Sequence, residues 1–255
     1  MITRAPTYFF IHVMKTGGTT FVQHILANFS ADAVYPSSTR GEGRKRAYYM
    51  IDELRRISLE RRGSLRAYSG HFPFVAAELV GADVTLAILR DPIERTVSIL
   101  RHHRREDPRL HGATLEEVYD DGWVFPLYVH NYQAKLFAMT VDDKLESHLD
   151  LIDVDEARLE IALTNLERVD VLGLHHRYAE FLDTMREQQG WTIGDVPDLR
   201  VSADRRDVPS QLRERIAADN AAEMTFYEHA VRLYERRQGG RVSRPLASLG
   251  GVDDD

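Results

Sequence analysis

The sequence predicts an α/β fold, a single domain with a central parallel sheet flanked by helices on both faces. Three observations predict it. Short apolar runs rich in β-branched and aromatic residues alternate with segments of helical spacing. Two of those runs end in helix-starting punctuation, a glycine pair after the first and Asp91-Pro92 after a later one. The chain has 255 residues with 43% hydrophobic and 29% charged side chains, which suits one large domain or two small ones.

The elements follow in order. Tyr8 to Val13 reads as a buried parallel strand, and the apolar spacing of Phe21 to Phe29 as the helix behind it. Arg66 to Ser69 is a second strand and Val84 to Leu89 a stronger one. Ile93 to Leu100 reads as a helix, with Asp91 as N-cap and Pro92 in its first turn. Val169 to Leu174 is a further strand and Tyr178 to Gln188 a helix, and Ser210 to Arg237 carries two helical patterns opening after Pro209. Right-handed crossovers join such strands into a sheet covered on both faces. Two regions break the rhythm. Residues 35–65 are basic, and residues 101–135 hold a histidine-rich charged stretch followed by Tyr119, Trp123, Phe125, Tyr128 and Tyr132. Both read either as solvated helices and loops or as insertions on the acceptor side of a binding cleft. The domain is expected over residues 1–238, with 239–255 as a flexible tail, because glycines, a proline and terminal aspartates there lack apolar periodicity.

Composition excludes several functions. The chain has no cysteine, so a disulfide framework, a thiolate nucleophile and cysteine-built metal sites are out. A formal charge of -7 argues against general affinity for nucleic acid. No apolar run approaches the roughly 20 residues that span a bilayer, and the N-terminal run meets glycines too early for a signal peptide. The expectation is a soluble, cytoplasmic protein. Neither an H-E-x-x-H pattern nor a calcium loop is present, and no metal is expected.

The chemistry concentrates at two strand ends. In MKTGGTTF, Gly17 and Gly18 allow a tight turn whose N–H groups converge, at the point where an open α/β sheet binds ligands. The following helix N-terminus adds partial positive charge, Lys15 a full one, and Thr16, Thr19 and Thr20 hydroxyls. This is an anion cradle and makes the domain P-loop-like. It is not a Walker A motif, because the lysine precedes the glycines. In AILRDPIERTVSIL, Arg90 leaves a strand end with a fork suited to bidentate phosphate binding, and Ser98 follows two turns into the next helix.

IHVMKTGGTTF resembles the 5′-phosphosulfate loop of sulfotransferases that use 3′-phosphoadenosine 5′-phosphosulfate (PAPS), closest to the carbohydrate branch that includes heparan sulfate 2-O-sulfotransferase. Met14 stands where that loop commonly has proline. AILRDPIERTVSIL is similar to the family's 3′-phosphate motif, with Arg90 and Ser98 in its arginine and serine positions. NYQAKLF is similar to an N-x-Q-x-[KR]-x-[LF] segment of this branch, LRVSADRRDVP resembles its nucleotide-covering loop, and AEMTFYEHAVRLY resembles its C-terminal helix, with Glu223 where aspartate is usual. The resemblance implies PAPS as co-substrate, held by Lys15, Thr16, Gly17, Gly18, Thr19, Thr20, Arg90 and Ser98, with Arg200 and Ser202 as further phosphate contacts. It also implies a hydroxyl acceptor, whether a small molecule, a sugar or a lipid-like compound.

Sulfuryl transfer needs a base for the acceptor hydroxyl. His71, after Gly70 at a strand end, fits, and the related 2-O-sulfotransferases carry a histidine in a similar segment. Lys15 would offset charge on the leaving phosphate. His12 reads as packing inside the first strand, His102 and His103 as a solvated helical face, and His175, His176, Glu42 and Glu53 as weaker rivals for the base. A nucleotide-dependent kinase and a non-catalytic nucleotide-binding module are the alternatives in other functional classes.

Overall fold

A computed structural model of the chain describes residues 5–37, 51–57, 59–143, 152–195 and 208–242. Five parallel strands form one sheet in the order β2-β3-β1-β4-β5, from β1 (Tyr8–Ile11), β2 (Val34–Tyr35), β3 (Ala67–Gly70), β4 (Val84–Leu89) and β5 (Val171–Leu174). The expected sheet flanked by helices on both faces is what forms. The central strand β1 is buried along its whole length, and its side chains alternate between the two faces as strand geometry requires. Tyr8 and Phe10 enter one apolar cluster and Phe9 and Ile11 the other.

On the first face, α1 (Gly18–Asn28) contributes Phe21 and Ile25, and α9 (Tyr178–Gln189) contributes Phe181 and Met185 around Trp191. The second face is covered by α4 (Val75–Val80), α7 (Tyr132–Ala138), α8 (Glu156–Glu167) and α11 (Ala221–Val242) through residues such as Ala76, Phe137, Leu166 and Phe226. Two short helices, α2 (Ile51–Arg56) and α3 (Leu59–Ser64), lie in the basic region, where Leu54 is buried in the same cluster.

Several boundaries differ from the sequence reading. β1 stops at Ile11 because the Val13 N–H already turns back to the Ile11 carbonyl, and α1 starts at Gly18, three residues early. β2 has only two residues, too few to show a period. α11 runs to Val242, four residues into the expected tail. α5 (Pro92–Glu106) extends six residues past its expected end, and Asp91 caps it by accepting from Glu94 N at 2.9 Å.

The region 101–135 is no solvated appendage. It holds α6 (Leu115–Tyr119) and a π-helical turn, Phe125–Val129. With α5 and α10 (Ser210–Asp219) these elements build a third apolar cluster from Val97, Leu100, Leu115, Val118, Val129, Leu212 and Ile216. Among the described residues, no helix is long and apolar enough to cross a membrane.

Candidate functional site

β1 and β4 are neighbours in the sheet, and their onward connections leave in opposite directions, to β2 and to β5. A crevice opens at the carboxyl edge of such a switch point. The two predicted anion-binding segments meet there. The Arg90 guanidinium Nη1 donates to the Lys15 carbonyl at 3.1 Å, so the glycine loop and the end of β4 share one cleft. Burial lowers the pKa of this guanidinium, with Glu94 and Asp91 pulling the other way and Arg95 adding to the burial effect. A partly desolvated cation of this kind is better satisfied by an anion than by a carbonyl alone.

The loop after β1 is strained. Lys15 has φ 67°, a left-handed conformation rare for a residue with a Cβ, and Gly17 follows with φ 88°. Gly17 is the N-cap of α1 and supplies no side-chain cap. The helix's first backbone bonds run from Thr20 and Phe21 to the Gly17 carbonyl, which leaves the N–H groups of Gly18 and Thr19 ahead of them at the positive end of α1. No acidic side chain stands in the first turn to compete for that field. Thr19 and Thr20 are half-buried there. Thr16 differs from expectation. It is fully buried and its hydroxyl donates to the Val13 carbonyl at 2.9 Å, so it holds the turn and enters the cradle only through its backbone. Ser98 lies half-buried two turns into α5, as anticipated.

His71 follows the last residue of β3, on the same sheet edge. Its Nδ1 lies 2.5 Å from the His12 carbonyl. A carbonyl can only accept, so Nδ1 carries the hydrogen and Nε2 of the neutral ring keeps its lone pair. That is the tautomer a general base needs.

Three neighbours were misjudged or missed from sequence. His12 stands beyond the end of β1, with its ring 4.4 Å from that of His71. A Cβ placed on Gly18 would fall 2.1 Å from the His12 ring, so the glycine is needed to let imidazole and helix start approach. On the other side of the loop, His175 and Tyr178 pack over Gly17, within 3.6 and 3.5 Å of where its Cβ would be. His176 instead meets the Tyr227 hydroxyl at 3.4 Å.

A buried polar cluster holds Arg90 from behind. Gln133 Oε1 accepts from Arg90 N at 3.0 Å while its Nε2 donates to Arg90 O at 2.8 Å, which extends the strand end like one more ladder rung. Glu223 accepts from Gln133 N and Nε2 and from Arg95 Nε at 2.8, 3.0 and 3.3 Å. Burial pushes the Glu223 carboxyl up, against the pull of Arg95 and Gln133. Asn131, at φ 49°, accepts from Glu223 N at 3.0 Å, and Lys135 Nζ donates to Pro126 O at 3.2 Å. The N-x-Q-x-K segment therefore organises the site without lining it.

His102 and His103 lie within electrostatic reach of Lys15. Burial is the main reason the His102 pKa falls to about 4, with Lys15 next, and burial also lowers that of His103. The expected solvated face is wrong for His103, which is buried. Glu42, Arg200 and Ser202 lie outside the described residues, as does the side chain of Glu53. Among the described residues no cluster of three or more metal-ligating side chains forms. In comparisons with known proteins, the chain matches no family model and no curated sequence.

Proposed function

We propose that the protein is a PAPS-dependent sulfotransferase that moves a sulfuryl group to a hydroxyl acceptor. The observation that carries the reading is the contact of Arg90 with the Lys15 backbone, which gives a helix-terminal anion cradle and a guanidinium one common cleft. Lys15 with the backbone of residues 16–20 would hold the 5′-phosphosulfate, and Arg90 with Ser98 the 3′-phosphate. PAPS supplies an activated sulfuryl group. His71 Nε2 takes the proton of the attacking hydroxyl, since its Nδ1–H is committed to His12 O. Lys15 stabilises the charge that develops on the departing phosphate.

Thermal stabilisation tests this directly. Adenosine 3′,5′-bisphosphate is expected to raise the melting temperature more than ATP with magnesium does. The opposite order would make the protein a kinase, and no response to either would end the nucleotide reading. His71→Ala should lower turnover by about 10²–10⁴-fold and leave bisphosphate affinity within a few-fold of wild type. Wild-type turnover in that variant removes His71 as the base.

A further inference from the structure

Beyond the end of β1, His12 occupies the space between the base and the anion cradle. Its chain neighbours Ile11 and Val13 are fully buried, whereas His12 is only half-buried, so part of it stays open to solvent. Its backbone is tied to the end of β3 twice, because His12 N donates to Gly70 O at 3.0 Å and His12 O accepts from His71 Nδ1. Its ring is fixed on three sides. Phe10, two residues back on the same face of the strand, lies 5.3 Å away at 23°, and the His71 ring 4.4 Å away at 39°. On the third side the Cδ2–Nε2 edge abuts the backbone of Gly18. A Cβ on Gly18 would stand 2.3 Å from His12 Nε2, which puts Nε2 within about 4 Å of the Gly18 Cα and about 5.3 Å of the Gly18 nitrogen. Two donors that share one oxygen, each about 2.9 Å from it, stand at most about 5.8 Å apart. The two nitrogens are thus close enough to bind one oxygen of the same anion.

We infer that His12 is a further ligand of the 5′-phosphosulfate, donating Nε2–H to the group held at the start of α1. This rests on the sulfotransferase reading and deepens it. Nε2 carries a hydrogen in the imidazolium and in one neutral tautomer, so the contact needs no charge on the ring. The inference also accounts for glycine at position 18, because any side chain there would push the donor away from the cradle. His12 touches the base on one side and the helix start on the other, and so lines the path of the transferred group. In the transfer, the acceptor oxygen bonds to sulfur, and the bond from sulfur to the bridging oxygen breaks with its electron pair left on the phosphate. The acceptor proton passes to His71, while the His12 proton stays on His12.

Calorimetric titration of the full chain with adenosine 3′,5′-bisphosphate and with adenosine 3′-monophosphate, which lacks the 5′ group, tests this. His12→Phe keeps a ring against Phe10 and His71 but has no donor, and should weaken the bisphosphate about tenfold or more. His12→Gln sets an amide N–H near the place of Nε2 and should stay within a few-fold of wild type. The monophosphate should bind wild type and His12→Phe alike. If His12→Phe does not fold, His12→Ala takes its place in the same comparison. If the monophosphate binds too weakly to measure, the comparison of the donor-less variant with His12→Gln decides alone. Wild-type bisphosphate affinity in His12→Phe, or a loss in His12→Gln as deep as in His12→Phe, makes the ring a wedge and overturns the inference. An equal loss for both nucleotides does the same, since the ring would then act through the fold. In each of these cases wild-type affinity for the bisphosphate leaves the sulfotransferase reading standing. A wild-type chain that takes neither nucleotide overturns that reading, and this inference with it.

Discussion

Single residues at this site carry opposed demands. On the proposed reading Lys15 presents a cation to the nucleotide, yet its backbone sits at φ 67°, where a side chain costs about 1–2 kcal/mol. The Arg90 bond to its carbonyl and the Thr16 bond to Val13 help to hold it there. Glycine relieves that strain, at the price of a looser unfolded chain. Lys15→Gly should therefore be about 1 kcal/mol more stable than Lys15→Ala by urea denaturation. Both should lose bisphosphate binding, and equal stability would mean the left-handed turn is not strained. Gly18 faces a steric limit instead. Gly18→Ala puts a methyl 2.1 Å from the His12 ring and must displace that ring from its place beside His71. It should be destabilising, and much of the loss should be recovered in Gly18→Ala/His12→Ala, measured as a double-mutant cycle. Additive losses would show that the ring is not the obstacle.

At the scale of elements, the site depends on how β4 ends. A strand end leaves backbone groups that have no ladder partner, and Gln133 of α7 satisfies both of those of Arg90. Glu223 at the start of α11 and Arg95 of α5 fix Gln133 in turn, so three helices converge on the residue that follows β4. Gln133→Leu should cost about 1–3 kcal/mol for each backbone group of Arg90 it orphans. It should also weaken bisphosphate binding beyond what Arg90 loses in a variant of equal stability elsewhere in the core. A loss of stability with unchanged affinity would make the clamp purely structural. The motif NYQAKLF could be recognised in the chain, but its role could not, since its partners Arg90 and Glu223 lie 43 and 90 residues away.

For the whole molecule, acid should act through histidines before carboxylates. Burial lowers the folded pKa of His24, His102, His103 and His130, and for His102 the fall is from 6.5 to about 4. Between those two values the unfolded chain binds more protons than the folded one, so stability rises with pH there and is lost as pH falls. Carboxylates held low by partners, such as Asp143 beside Arg158, add their loss only below the ordinary carboxylate range. The urea midpoint should therefore drop between pH 7 and pH 5, and less so in His102→Gln. A flat profile across that interval would show that these rings titrate alike in both states.

The order of elements was set locally, and the sequence determined it. Apolar runs placed four of the five strands, and the glycine pair and Asp-Pro marked where the helices after β1 and β4 begin. Lys15, Arg90 and His71 were legible because strand ends of a parallel sheet all face one edge, whatever the details of packing. The tertiary structure decided what depended on contact between distant segments. It brought Tyr178 to the loop and His71 beside His12, took the Thr16 hydroxyl out of the cradle, and buried His103 in a ring corner that sequence had left on a solvated face. Periodicity reports which face of an element is apolar, but not which remote element covers it. Only the folded chain fixes which polar atoms are left over for a ligand.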